Sequence, residues 1–572
     1  MYLSAKLRIF YGMAKFFFGI LRIIIKNNIA MITNVSLQNY KAFQEISIDI
    51  RPITIFLGAN SVGKSSIIQF FSLLKQTAAN TLINENAPLK TYGYYANMGL
   101  IDNLFHNKDT QKPFSFSISF NSKTIPRYFR NFFNDYVSTV ANLGYFLPIK
   151  GLLKWRSEFI QPTDRDKFYL FVSDLISSLP KENIDRYRDN LNFAISQNSL
   201  LRIEDLETGG VHDFMAVYDF LNKLQKEARS KGCIFTVKYE LSCTSQGLRI
   251  TEIHIFVAKM QLLKIKIGYN FVEVESDLAE INDGTRSVLI ANFHSYDNIY
   301  ECISFPTNKG KTELKGTTMS NYLSQVAMAI LNEFRKEFSS YSVNHMGPLR
   351  AFPQRYYILD QEAYALSPDF SKGESIVQAL KTNKTLKSKV GKWLDAFGFD
   401  INVERSEEVI HHLKVSQNKL DLNIMDVGFG ISQILPILVQ CFFAKEDSLT
   451  TIEQPEIHLH PQMQAQLANL FVDVSTEKNR NLIIETHSEY MLRRLRRLVA
   501  DPAFDNVTAN NVGIYFFEGK DISKGKDYVS VRELPMSKTG QFEWPELFYA
   551  TEMDDNLKFM QFQMNENIHD NN

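Results

Sequence analysis

The chain has 572 residues, 45% apolar and 22% charged, an ordinary globular balance with room for two to four domains. Its 63 basic and 63 acidic residues cancel, so no global field draws it to nucleic acid, and any such contact must come from a local patch. The four cysteines, Cys233, Cys243, Cys302 and Cys441, form no C-x-x-C pair; this argues against a zinc site or a disulfide framework and fits a reducing cytoplasm.

Residues 1–30 form an uncertain basic, apolar N-terminal extension. The run from Ile9 to Ile25 is interrupted by Lys15 and Arg22. Two charges near its middle make it a poor membrane span, and no small-residue cleavage site follows. A helix lying on a membrane surface stays open, as does an extension that is rarely translated, because Ile32 to Leu37 after Met31 already reads as a first strand.

From Met31 to about Thr77 the pattern is strand, turn, strand, glycine-rich loop, helix. The apolar run Ile53 to Leu57 leads into Gly58-Ala59-Asn60-Ser61-Val62-Gly63-Lys64-Ser65-Ser66, and an apolar helical run starts at Ile67. Glycines here allow backbone N–H groups to converge on a phosphate, the helix points its positive end at the same place, Lys64 reaches the terminal phosphates, and Ser65 can ligate Mg²⁺. A nucleoside triphosphate, ATP, is the expected ligand.

The alternation in Phe114 to Phe120 predicts an antiparallel strand of the same lobe, which is expected to span 31–124. Residues 125–319 read as an inserted helical and β arm: helical spacing at Asp213 to Leu221, then strands at Cys233 to Tyr239, Leu248 to Val257 and Leu263 to Tyr269. Aromatic residues of this arm are expected in its core more than on nucleic acid bases. A helix from about Ser320 to Phe338 returns the chain to the nucleotide-binding fold, which continues to 550, and 551–572 is a tail.

Three motifs follow. In Asp426 to Gln433, Gly428, Gly430, Ser432 and Gln433 precede a helix expected from about Ile434, where backbone and hydroxyl donors suit a γ-phosphate. The strand-like Leu449 to Ile452 delivers Glu453, Gln454 and, past Pro455, Glu456; a carboxylate at that strand end can hold the hydration shell of Mg²⁺. The run Asn481 to Ser488 is a second buried strand ending at His487, placed to contact a γ-phosphate or attacking water. His458 and His460 lack the further partners a metal site needs. The run Arg493-Arg494-Leu495-Arg496-Arg497 offers cations to phosphates, RNA or an acidic partner, or forms a solvated helical face.

With these motifs in order, and with His345 to Arg350 and Gly540 to Pro545 beside them, the chain resembles ABC-type ATPases of the SMC-like and OLD-like branch. That group includes the AAA-type ATPases found beside bacterial phage-defence effectors, of which retron-linked and Septu-type ATPases are the nearest analogues. The resemblance covers about 31–110 and 340–550. It implies an α/β P-loop ABC-type ATPase head, a mixed or parallel sheet flanked by helices, with an inserted arm. It also implies a homodimer binding ATP head to tail, each P-loop facing the partner's segment equivalent to Gly428 to Gln433, with Ser65 and Glu453 at the magnesium.

The catalytic glutamate of many such ATPases falls at Gln454, which cannot accept a proton at neutral pH. Either Glu456 substitutes or hydrolysis is slow and the ATP-bound dimer long-lived. The implied function is a nucleotide-driven switch controlling a separate effector, such as a nuclease, in antiviral defence. A DNA-repair ATPase acting directly on DNA, a transport subunit and a scaffold that never hydrolyses ATP are the other classes. About 85 residues follow His487, too few for the metal-dependent nuclease domain of OLD-type proteins.

Overall fold

The computed structural model describes residues 31–79, 87–147, 152, 154–155, 160–179, 188, 200–201, 210–230, 232–268, 271–304, 317–339, 341–359, 368–417, 420–477, 479–504, 507–519, 528–545 and 558. The expectations for 1–30, and for the tail apart from residue 558, lie outside them. Two compact units emerge, one built from residues up to Tyr40 and from Leu73–Ser342, the other from Lys41–Ser72 and the chain from Val343 onward.

The first unit holds an antiparallel sheet in the order Met31–Tyr40, Phe114–Asn121, Ile234–Thr244, Gly247–Val257, Met260–Ile267, Val272–Glu275. Its register aligns Leu37, Phe116, Tyr239, Ile253, Ile265 and Val274 in one row across six strands, and every one of them is buried. A one-residue slip in any strand would turn its part of this row to the other face, so burial fixes the register. Phe114–Asn121 is antiparallel, as its alternation predicts, and it pairs with Ile234–Thr244 over its whole length, so the sheet runs continuously across residue 124.

Helices Ile125–Phe146, Arg165–Ser177 and Val211–Ala228 meet through aromatic rings. Tyr218 stacks on Phe168 at 4.8 Å and meets Phe133 edge-on at 5.1 Å, while the Tyr136 hydroxyl donates to Phe214 O at 2.8 Å. These aromatics form core, as burial of so much ring surface favours.

The second unit is built on a six-stranded sheet ordered Ser530–Glu533, Val512–Glu518, Ile53–Gly58, Asn481–Glu485, Leu449–Glu453, Val343–Met346. All neighbours run parallel except the first pair. The strands Ile53–Gly58, Asn481–Glu485 and Leu449–Glu453 are buried at every position, as parallel strands covered on both faces are, with Thr54, Thr450 and Thr451 buried among their apolar residues. Helices Phe429–Phe443, Pro461–Glu477 and Glu489–Ala500 accompany the sheet, with a smaller antiparallel sheet of Tyr357–Ile358, Ile410–Gln417, Phe399–Arg405 and Leu420–Asn423. This is the α/β P-loop architecture expected.

Helix Phe429–Phe443 starts five residues earlier than the sequence suggests and carries Pro436 inside it. The far end of that helix is held by Arg480, 1% exposed, whose Nη1 donates to Cys441 O at 2.9 Å and Nε to Lys445 O at 3.2 Å, with Nη2 on Ala444 O. A cation there complements the negative end of the helix dipole.

Candidate functional site

Parallel strands with in-phase ends deliver the site residues to one edge of the second unit's sheet. Glu453 and Glu485 are direct neighbours in the register, and Glu485 pairs with Phe56, two residues before Gly58. The loop after Gly58 then turns through positive φ at Gly58 (135°), Ser61 (63°) and Gly63 (98°), a shape in which successive N–H groups can face one anion. Gly58 has no room for a side chain, since a Cβ would lie 2.4 Å from Phe517 O. At Gly63 a Cβ would meet the Phe43 ring at 2.8 Å, so both glycines answer to close approach as well as to φ.

Ala59, Asn60 and Ser61 form an exposed crest, Val62 is buried beneath it, and Ser66 N donates to Gly63 O at 3.0 Å as the helix begins. Lys64 is 2% exposed; its Nζ donates to Gly58 O at 2.9 Å and Ala59 O at 2.6 Å and lies 3.6 Å from Glu485 Oε1. Burial lowers the pKa of its ammonium, and Glu485 opposes that shift. Ser65 Oγ donates to Glu485 Oε2 at 2.8 Å and also interacts with Glu453. Burial, and next the Glu485 charge, push the Glu453 carboxyl up to about 7. Ser65, Glu453 and Glu485 are hard oxygen donors converging at one place, a set whose chemistry suits Mg²⁺.

Beyond Glu453 the backbone is held from both sides. Gln454 has φ 45°, an uncommon value for a residue with a side chain. Its N–H donates to Glu485 O at 2.7 Å, and its carbonyl accepts from Arg350 Nη2 at 3.1 Å, as Glu453 O does at 3.2 Å. Surrounding bonds of this kind are what keep a strained conformation in place. Glu456 has both oxygens engaged: Oε2 accepts from Thr486 Oγ1 at 2.8 Å and Oε1 from His487 N at 2.7 Å. The His487 ring is exposed, and desolvation followed by the Lys64 charge lowers its pKa. Ser488 caps helix Glu489–Ala500 by accepting from Met491 N at 3.2 Å and donates to Gln464 Oε1 at 2.7 Å.

The other predicted group sits differently. Gly428 is the exposed N-cap of helix Phe429–Phe443, and Gly430, Ser432 and Gln433 lie in its first turns, the last two buried. Their neighbour is the His458 loop, where a Cβ on Gly430 would approach His458 O to 3.2 Å. His458 and His460 are exposed, and among the described residues no group of three or more His, Cys, Asp or Glu side chains is arranged to hold a metal ion.

In the basic run, Arg493 pairs with Glu489, and Arg496 donates to Gly540 O at 2.8 Å while lying over the rings of Phe542 (5.7 Å) and Trp544 (5.6 Å). Part of the run thus fastens the closing segment instead of facing solvent. Among the described residues no helix is long and apolar enough to cross a membrane.

Three contributors carry no signal in the sequence that marks them as site residues. Glu485 stands in the strand run and in the motif that carries the resemblance but has no role assigned from sequence, because that role depends on the register that sets it beside Glu453. Arg350 and His345 belonged to a segment noted only for its resemblance; His345 Nδ1 shares a hydrogen bond with Thr451 Oγ1 at 2.9 Å and its Nε2 lies 3.5 Å from Glu453 Oε1.

Solved structures similar to this chain include one described as the SmcHead bound to the C-winged helix domain of ScpA (9% identity, TM-score 0.37, 88% of this chain and 98% of that one). Others are the SMC head domain from Thermotoga maritima (8%, 0.32, 89% and 99%) and a Pyrococcus furiosus Smc head domain with an extended coiled coil bound to the C-terminal domain of ScpA (11%, 0.32, 93% and 100%). No curated protein matches the chain significantly. The family model described as AAA ATPase domain matches residues 31–492, most of the chain, and the protein belongs to that family.

Proposed function

We propose that this protein binds ATP with Mg²⁺, hydrolyses it slowly, and works as a nucleotide-driven dimeric switch that controls a separate effector, a nuclease in antiviral defence. The observation that carries the reading is the convergence of Lys64, Ser65, Glu453 and Glu485 at one sheet edge beside a position, Gln454, that carries no carboxylate. Bound Mg²⁺ would neutralise phosphate charge, held through Ser65 and Glu453. Lys64 and the N–H groups of Gly58 to Ser66 bind the phosphates, and His487 senses the terminal one.

Slow turnover follows from the chain's own groups. Gln454 cannot take a proton from water. Glu456 spends an acceptor on Thr486 and another on the His487 backbone, which suits positioning the His487 segment more than proton abstraction. Gly428, Gly430, Ser432 and Gln433 head a helix at the His458 loop and would complete the site of a second protomer. Purifying the protein from its host with ATP present, then identifying co-purifying proteins by mass spectrometry, tests the switch. A stoichiometric nuclease or reverse transcriptase supports it, and a bare dimer bound only to DNA favours a DNA-repair ATPase.

A further inference from the structure

Glu485 belongs to the converging set of the ATPase reading, and its contacts with Lys64 and Ser65 point to a second task. Its side chain is 6% exposed, and a carboxylate so buried needs compensation. It finds this in the two side chains a triphosphate and its metal would require: Oε2 accepts a hydrogen bond from the Ser65 hydroxyl at 2.8 Å, and Oε1 faces Lys64 Nζ at 3.6 Å. An ammonium offers three N–H donors. Gly58 O at 2.9 Å and Ala59 O at 2.6 Å accept from Lys64 Nζ, and Glu485 Oε1 holds the same ammonium as an ion pair at 3.6 Å, so a phosphate that draws on Lys64 competes with this set. Of these partners only Glu485 is also negatively charged, and it therefore competes twice, by occupying the donors and by repelling the incoming anion.

We infer that Glu485 is an internal competitor that ties nucleotide binding to a divalent cation. With Mg²⁺ present, the metal supplies the positive charge that lets carboxylate and phosphates share the site; without it, Glu485 keeps Lys64 and Ser65. The inference rests on the proposed ATP-binding reading. Glu453, the adjacent carboxylate, leaves part of the metal dependence in place when Glu485 is neutralised.

The test is the affinity of the full-length protein for a fluorescent ATP analogue, measured in Mg²⁺ and in EDTA, for the wild type, Glu485→Gln and Glu485→Asp. Removing one buried charge from the competitor is expected to improve binding in EDTA by about tenfold or more, on the scale where a single perturbed charge shifts an equilibrium by a decade. Affinity in Mg²⁺ should change far less. Glu485→Asp keeps the charge and should keep the wild-type metal dependence, which separates loss of charge from damage to the strand end. An EDTA affinity of Glu485→Gln equal to that of the wild type, or a wild type indifferent to chelation, overturns the inference. A wild type that binds the analogue in neither condition overturns the ATP-binding reading itself.

Discussion

Arg480 offers the sharpest test of how the second unit is held together. It is 1% exposed, and its guanidinium serves the carbonyls of Cys441, Ala444 and Lys445 at the end of the helix that begins with the Gly428 to Gln433 segment. Arg480→Met keeps much of the aliphatic stem and removes the donors. Three carbonyls then lose a charged donor, though Lys445 O keeps the Ser448 hydroxyl at 2.7 Å; such bonds contribute about 1.5–3 kcal/mol each, and unpaired buried acceptors cost about 1–3 kcal/mol. Against this stands the regained cost of burying the cation, which is also several kcal/mol. The balance is a loss of about 2–4 kcal/mol. Arg480→Lys should recover only part, because one ammonium cannot reproduce the planar fork. Hydrogen exchange read by mass spectrometry on peptides covering Phe429–Phe443, with urea unfolding alongside, gives the number. Unchanged protection in that helix and a loss below about 0.5 kcal/mol would refute the assignment of Arg480 as its C-terminal clamp.

Other predictions concern the site directly. Lys64→Ala should abolish binding of a fluorescent ATP analogue in Mg²⁺, checked by titration; retained affinity would place the phosphates elsewhere. Gln454→Glu should raise the hydrolysis rate by about 10²-fold or more, within the usual contribution of a general base, as measured by phosphate release; an unchanged rate together with abolition by Glu456→Gln would make Glu456 the base. Gly58→Ala forces a Cβ to 2.4 Å from Phe517 O at φ 135°, and should cost at least about 2 kcal/mol in thermal unfolding while disrupting the loop. Burial pushes the thiols of Cys302 and Cys441 up to about 12, so at pH 8 both should resist a disulfide reagent that reacts with the half-buried Cys243, and both should react once guanidinium unfolds the chain.

What sequence could reveal was set by how locally each feature is encoded. The loop Gly58 to Ser66 is legible because its strand, turn and helix are contiguous and the chemistry lies in the motif itself. Strand Asn481–Glu485 is legible from its apolar centre Leu482 to Ile484, and Leu449–Glu453 from its β-branched Thr450, Thr451 and Ile452, because parallel strands buried on both faces carry no polar alternation. The pairing of Glu453 with Glu485 is a matter of register, and no spacing along the chain states it. The start of helix Phe429–Phe443 is not legible because Gly428 and Gly430 weaken helix formation there, while burial of Ile431, Ile434, Leu435, Ile437 and Leu438 overrides that preference. The engagement of Arg496 with Gly540 and two rings depends on a segment 44 residues away, so a run of arginines read alone leaves both a solvated face and an anionic partner open.

The proposed switch requires that nucleotide drive two protomers together. Light scattering coupled to size exclusion, run on the full chain with no nucleotide, with ATP and Mg²⁺, and on Lys64→Ala with ATP and Mg²⁺, tests it most directly. Wild-type mass should double only with ATP and Mg²⁺, and Lys64→Ala should stay at the mass it has alone. A wild-type mass that is the same with and without nucleotide would contradict it.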